Sequence, residues 1–293
     1  MRRWLPTLAG GAVALALAAV APGARADTPA TDTGGALESE AQGPLWELGL
    51  GVATLRVPDY RGSDRIRTYA LPLPYAVYRG TWLRADRDGA RALLVDSERV
   101  KVDVSVSGSV PTRSRDNTAR SGMPDLAPTV EIGPNVDLRL LQSDDARIRL
   151  DLRLPLRAAI AVQRSPEAIG ATFSPNLNLD VKRFAGGWNL GLLAGPLYGD
   201  RRYHAYYYGV ESAQATASRP AYRPGGGYAG WQALAAGSRR FGRLWVGAFA
   251  RYDSLRGAVF EASPLVRRDH DLTVGLGVSW VFASSGQLVS AER

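Results

Sequence analysis

From Trp46 onward apolar and polar residues alternate with a period of two. The clearest run sets Val100, Val102, Val104 and Val106 against Lys101, Asp103, Ser105 and Ser107, the pattern of a strand with one oily and one wet face. Ile148, Leu150, Leu152, Leu154 and Leu156 alternate in the same way with Arg147, Arg149, Asp151, Arg153 and Arg157. Phe173, Leu177, Leu179 and Val181 do so with Asn176, Asn178, Asp180 and Lys182. Weaker alternation runs through 46–54, 68–78, 81–86, 90–95, 130–140, 188–198, 228–238, 243–252 and 272–282. Together these segments predict twelve strands, most of them near the roughly 9–11 residues that a tilted strand needs to cross a bilayer.

Alternation alone does not separate a soluble sandwich from a membrane barrel, because both give each strand one apolar and one polar face. The connections discriminate better. With both termini on one side, the turns there fall near 79–80, 96–98, 142–146, 185–187 and 239–242, and all are short. The opposite side carries 55–67, 87–89, 110–127, 163–170, 199–226 and 255–270, and all but 87–89 are long. Short periplasmic turns and long outer loops are the asymmetry of an outer-membrane barrel. Reading the DRDG connection at 86–89 as a bulge would make the strand count odd; read as a turn, it keeps twelve. Trp46, Tyr69, Tyr78, Trp82, Trp188, Tyr198, Trp245, Tyr252, Trp280 and Phe282 lie toward strand ends, as interfacial girdles require. Pro72, Pro74, Pro134, Pro155, Pro175 and Pro196 run against the pattern, since each removes a ladder donor and belongs at a bulge or strand end.

The amino terminus sets the compartment. Residues 1–26 have a basic start, an apolar run from Leu8 to Ala21, and Ala24-Arg25-Ala26 before Asp27, which reads as a cleaved secretory signal peptide. The apolar run is short of the roughly 20 residues of a membrane-spanning helix. Residues 27–43 are small, polar and acidic, a flexible lead-in to a barrel over 44–282, with a tail at 283–293. The whole chain carries a formal charge of +8; losing Arg2, Arg3 and Arg25 leaves 33 basic against 28 acidic residues, a net +5. For an exported chain that excess points to anionic lipid and lipopolysaccharide phosphates, not nucleic acid. The absence of cysteine excludes disulfides, thiolate metal sites and a cysteine nucleophile, and only His204 and His270 supply imidazoles.

The stretch VPDYRGSDR at 57–65 carries the densest candidate chemistry. Its Asp59 and Asp64 lack the alternating oxygen ligands and terminal Glu of a calcium loop, and no histidine is near enough in sequence to serve as a base. Asp59, Tyr60, Gly62, Ser63 and Asp64 are instead residues that fold a loop back on itself by side-chain to backbone hydrogen bonds, which predicts a structural loop corner at the barrel rim. No metal site and no cofactor-binding motif is read from the chain. The GGG at 225–227 lacks the Lys-Ser or Lys-Thr of a phosphate loop.

PDYRGSD at 58–64, LPLPYAVYRG at 71–80, YYYGVESAQATASRPAYRPGGGY at 206–228, SPLV at 263–266 and the closing VGLGVSWVF at 274–282, in that order and spacing, resemble the MipA/OmpV family of outer-membrane proteins. The resemblance covers about 44–282. It implies an outer-membrane β-barrel. A named member of that family is a scaffold joining a murein lytic transglycosylase to a bifunctional murein synthase; other members are assigned adhesin or stress-related roles. It carries over no catalytic residue. Two departures stand out: Phe282, where family members commonly end, is followed by ASSGQLVSAER, and Ala262-Ser263 occupies a position usually acidic before SPLV.

The expected protein is therefore an all-β, antiparallel up-and-down barrel of about twelve strands, a non-catalytic scaffold in the outer membrane. Outer-loop arginines, foremost Arg113, Arg115, Arg201, Arg202, Arg267 and Arg268, are suited to lipopolysaccharide phosphates by their forked donors. Arg147, Arg149, Asp151, Arg153 and Arg157 form the inward row expected to line the lumen, facing Lys101, Asp103, Asp137 and Arg139, with opposite charges pairing across a filled interior. Two other classes remain open. A small pore would conduct through that charged row. A lipid hydrolase would use His270 between Asp269 and Asp271 with Ser254 or Ser263, although no nucleophile motif accompanies them.

Overall fold

A computed structural model describes residues 42–79, 83–86, 89–97 and 99–290. The expected signal peptide, the lead-in as far as 41, Trp82 and residues 291–293 of the tail lie outside them. The strands, in chain order, are β1 (Gln42–Pro44), β2 (Trp46–Pro58), β3 (Ile66–Arg79), β4 (Leu83–Asp86), β5 (Gly89–Asp96), β6 (Val100–Ser109), β7 (Thr129–Gln142), β8 (Ile148–Ala161), β9 (Glu167–Phe173), β10 (Asn176–Phe184), β11 (Trp188–Gly199), β12 (Gly227–Phe241), β13 (Leu244–Ser254), β14 (His270–Ser284) and β15 (Leu288–Ser290). One helix, α1 (Arg201–Tyr208), lies between β11 and β12. Among the described residues no helix is long and apolar enough to cross a membrane.

From β2 to β14 the strands form one antiparallel sheet in which neighbours in the chain pair, and β14 pairs in turn with β2. β8 has two partners past β7: β10 along Ile148–Arg153 and β9 along Leu156–Ala161. β9 and β10 are thus the halves of one strand, broken at Ser174-Pro175, and β10 pairs onward with β11. With the halves counted together, twelve strand positions follow one another, each hydrogen-bonded on both sides. The strands flanking the DRDG connection pair antiparallel, Asp86 facing Gly89 and Leu83 facing Ala92; Arg87 and Asp88 lie outside the described residues.

Two boundaries differ from the alternation reading. The strand expected at 173–182 is interrupted, since Pro175 has no ladder donor, and the second half of the outer loop expected at 163–170 belongs to β9. At the end of the short turns, Gln42–Pro44 pairs with Leu288–Ser290 in a separate two-stranded sheet, so pieces of the lead-in and of the tail meet there.

The sheet is inverted relative to a soluble protein. On β2, Trp46, Leu48, Leu50 and Val52 are exposed, Val52 by 61 %, while Glu47 is buried to 1 %. On β8, Leu156 is exposed and Asp151 wholly buried. Alternation puts the polar set inside because residues two apart share a face. The interior is not polar throughout. Tyr75 and Val77 of β3, Trp245 of β13 and Val281 of β14, with Leu73 against them, make an apolar cluster. Trp245 is therefore not a girdle residue: its ring lies inside, 6.0 Å from that of Tyr75. Tyr69 shares the inner face with its cross-strand partner Leu55. A shift of one position exchanges the two faces, and position near a strand end does not reveal which face a ring takes. Trp46, Tyr78, Tyr198, Tyr252, Trp280 and Phe282 do stand outward and exposed.

At the other end, the loops at 59–65, 110–128, 200–226 and 255–269 pack into a cap with its own core of Tyr60, Met123, Leu126, Tyr207, Tyr208, Leu255, Phe260 and Leu265. Asp200 caps α1, accepting from the Tyr203 amide at 2.7 Å, while its second oxygen accepts from the Ala171 amide at 3.0 Å and ties the helix to β9.

Candidate functional site: the loop cap and the lumen

VPDYRGSDR is the point where the cap's loops converge. Its own turn is closed by the Asp59 amide donating to the Arg65 carbonyl at 2.9 Å and the Ser63 amide donating to the Tyr60 carbonyl at 3.0 Å. Gly62 adopts a φ of +88°, which glycine tolerates and a side chain does not, and a Cβ there would lie 2.9 Å from Leu255 Cδ2. Each remaining polar group reaches another loop. The buried Asp59 carboxylate accepts from Arg67 Nε at 2.5 Å and from Asn117 Nδ2 at 2.9 Å; Asn117 Nδ2 also donates to Ser63 Oγ at 3.0 Å. Thr112 Oγ1 donates to the Asp59 carbonyl, and Tyr60 Oη donates to the Leu265 carbonyl, both within 2.8 Å. The Gly62 amide donates to Asp271, and the Gly62 carbonyl accepts from the Arg267 and Arg268 amides. Asp64 is exposed, 3.9 Å from Arg267.

The half-buried Arg61 and the buried Arg120 and Arg219 brace the rest. Arg61 Nε donates to Asp253 at 2.9 Å and Nη1 to the Ala229 carbonyl at 3.0 Å. Arg120 donates to the Tyr207 carbonyl at 3.0 Å and to Ser114 Oγ at 3.2 Å, with its guanidinium over the Tyr60 ring. Arg219 donates to carbonyls of Ala119, Ser121 and Gln214. Burial pushes the Tyr60 and Tyr207 hydroxyls up to about 12 and raises Tyr208 and Tyr203 as well, so these phenols stay protonated near neutrality. None is tuned for proton transfer.

His204 is wholly buried in α1, with Nδ1 against the Gly225 carbonyl at 2.8 Å and its ring edge-on to Phe260. Gly199 makes room for it, since a Cβ there would fall 2.5 Å from Nε2. Burial holds the imidazole below its ordinary value, opposed by the Gly225 carbonyl and the Asp200 charge and assisted by Arg61. The unfolded chain therefore binds a proton that the folded cap resists. The cap's extra stability is present above about pH 6.5 and is lost as pH falls below that value toward the depressed one. Hydrogen exchange of cap amides is expected to show a lower opening free energy at about pH 5.5 than at about pH 7.5. His204→Gln should remove this fall and leave the opposite pull of Asp271, whose carboxyl burial raises to about 6; the same pH response in parent and variant would contradict the assignment.

Arg149, Asp151, Arg153 and Arg157 lie on the face of the sheet that carries its buried polar side chains. Arg149 Nε meets Asp151 at 2.7 Å, Arg153 lies 3.9 Å from Asp137 and 3.8 Å from Asp180, and Arg157 donates to Ser105 and Ser174 hydroxyls. Lys101 pairs with Asp103 at 3.2 Å, and Arg240 with Glu47. Arg147 sits in the turn with Asp145 and faces solvent.

Arg113, Arg115, Arg201, Arg202, Arg267 and Arg268 are all exposed on the cap. Arg202 also donates to the Ala168 carbonyl. Arg120 and Arg219, of the same outer loops, are buried. His270 is exposed, 2.6 Å from Asp269 and stacked on Tyr252. Asp269 is held at about 2 by hydrogen bonds from Arg256 and His270. Ser254 stands opposite His270 in the β13–β14 register, but no hydrogen bond joins them. Ser263 is buried and donates to the Tyr208 carbonyl at 2.8 Å. Among the described residues no three His, Asp or Glu side chains gather in a metal-binding group.

The class of protein is thus an all-β antiparallel sheet with polar residues inside, apolar residues outside, and a folded loop cap over one end. A family model described as MltA-interacting protein MipA matches residues 50–282, and the chain belongs to that family. Solved structures similar to it include a bacterial polysaccharide outer membrane secretin, 10 % identical over 81 % of this chain and 99 % of that one, TM-score 0.40. OprB of Pseudomonas putida at high pH is 12 % identical over 73 % of this chain and 49 % of that one, TM-score 0.34. No curated protein matches the chain.

Proposed function

We propose that the chain is a closed twelve-stranded barrel of the outer membrane that acts without catalysis as a scaffold for murein-remodelling enzymes on the periplasmic side. The observation that carries the barrel is the inverted sheet: strands paired on both sides, with leucines, valines and tryptophans outward and buried Glu47, Asp103, Asp137 and Asp151 inward. Only hydrocarbon makes that arrangement favourable, because in water it would expose the apolar face and bury the charges. The partner reading rests on membership of a family described as MltA-interacting. The cap supports the absence of catalysis, since its polar groups are spent on one another and on carbonyls.

In this reading the cap faces outward and its exposed arginines meet lipopolysaccharide phosphates. The partner then meets the short turns and the β1–β15 pair, which lie at the other end. Immobilised full-length protein is expected to retain a murein lytic transglycosylase and a murein synthase. Removing 27–43 and 285–293 together should weaken that retention by about tenfold or more. Retention unchanged by the deletion would place the contact on the turns, and no retention by the intact folded protein would remove the scaffold role.

A further inference from the structure

We propose that the lumen holds a binding site for a small neutral solute rich in hydroxyls, of the chemistry of a one- or two-ring sugar. The inference rests on the barrel reading above but not on the scaffold role. Residues of β6, β7, β8, β10, β11, β12 and β13 line a cavity of about 310 Å³. That lies at the lower end of the sizes, about 300–1,000 Å³, that take small molecules.

Three residues on its wall carry acceptor oxygens with no hydrogen-bond partner among the described residues: Asn135 Oδ1, Asp137 Oδ2 and Asn176 Oδ1. They are exposed by only 7 %, 2 % and 6 %. Their other atoms are committed, which fixes how they are presented. Asn135 Nδ2 donates to Asp103 Oδ1 at 3.0 Å and to Asp137 Oδ1 at 2.7 Å, and Asn176 Nδ2 donates to the Ser174 carbonyl at 2.7 Å. Buried acceptors on a cavity wall take their donors from what fills the cavity, water when it is empty and the hydroxyls of a solute when it is occupied.

Donors line the same cavity. Arg157 meets no carboxylate, only the Ser105 and Ser174 hydroxyls, and Arg251 keeps an unmatched Nε although its Nη2 pairs with Asp253 at 2.8 Å. Hydroxyls suit both kinds of group, because each donates once and accepts twice. The wall's charges balance, with Asp103, Asp137 and Asp180 against Arg153, Arg157 and Arg251, which gives a bare anion or cation no net attraction. Trp245 and Phe249 add apolar rings against which the carbon face of a sugar packs.

The test is calorimetric titration of the full-length protein, refolded in detergent micelles, with glucose, maltose and inorganic phosphate as probes. A heat-dependent gel shift on the same sample first establishes that the barrel has formed, which separates failure of the barrel from failure of the site. Saturable binding of glucose or maltose is expected, weakened about tenfold or more by Asn176→Ala and unchanged by Leu192→Ala on the outer face. No saturable heat from either sugar with folded protein would overturn the site. Phosphate binding more tightly than sugar would replace it with an anion pocket, and sugar binding indifferent to Asn176→Ala would place it elsewhere.

Discussion

Arginine in place of Leu276 is expected to lower the unfolding free energy in phospholipid vesicles by about 2–4 kcal/mol. Leu276 lies midway along β14, half exposed on the outer face, flanked across the ladder by Ala248 and Thr54. Neither neighbour carries a charge to pair with the guanidinium, so the side chain would sit in hydrocarbon near the bilayer centre. The same change at Leu272, two outward positions nearer the cap, should cost only about 0–1 kcal/mol, because the interface is within reach there. Urea titration of the two variants in vesicles measures the difference. Equal and small costs at both positions would mean that the outer face is not in a membrane.

Asp59→Ala is expected to open the cap without unfolding the sheet, lowering the cap's opening free energy by about 3 kcal/mol. The carboxylate is fully buried and is the shared acceptor of Arg67 and Asn117, so its loss leaves a guanidinium and an amide without their partner. Arg67 keeps about a quarter of its side chain in solvent and lies 3.7 Å from Asp116, which limits the loss to the lower part of the range for buried pairs. Asp59→Asn, which keeps an acceptor in place, should lose less. Hydrogen exchange of amides at 200–226 and 255–269 reads the effect; protection unchanged in Asp59→Ala would show that the corner does not hold the loops together.

Much of the sheet was legible because period-two alternation reports a physical constraint, that residues two apart share a face. On β8 the charges at 149, 151, 153 and 157 lie inside and the leucines outside, as their spacing dictates. The pattern fails where one residue overrides it. Pro175 splits β9 from β10, and Gly170, at φ +131°, lies beside the register shift that lets β9 continue along β8. Trp245 went unread because a tryptophan near a strand end suits either face, and only the register with Arg240 and Ser279 turns it inward.

The corner at 57–65 could be read as a turn from its own residues, but its partners could not. Asn117, Arg120, Tyr208, Leu265 and Asp271 come from loops and strands 58 to 209 residues away, and nothing local marks them. The arginines show the same limit. Arg115 and Arg120 are five positions apart in one loop, yet Arg115 faces solvent and Arg120 is buried, because the Tyr207 carbonyl, 87 residues on, is there to receive it.

The most direct test of the account is the mobility of the protein from an isolated outer-membrane fraction on a denaturing gel, with and without heating. A closed barrel keeps its hydrogen-bonded ring in detergent at room temperature and migrates as a compact species, shifting to its full mass of 31.4 kDa, less any cleaved leader, only after boiling. The account predicts recovery in that fraction together with the shift. Recovery in the soluble periplasm, with one mobility whether heated or not, would contradict it.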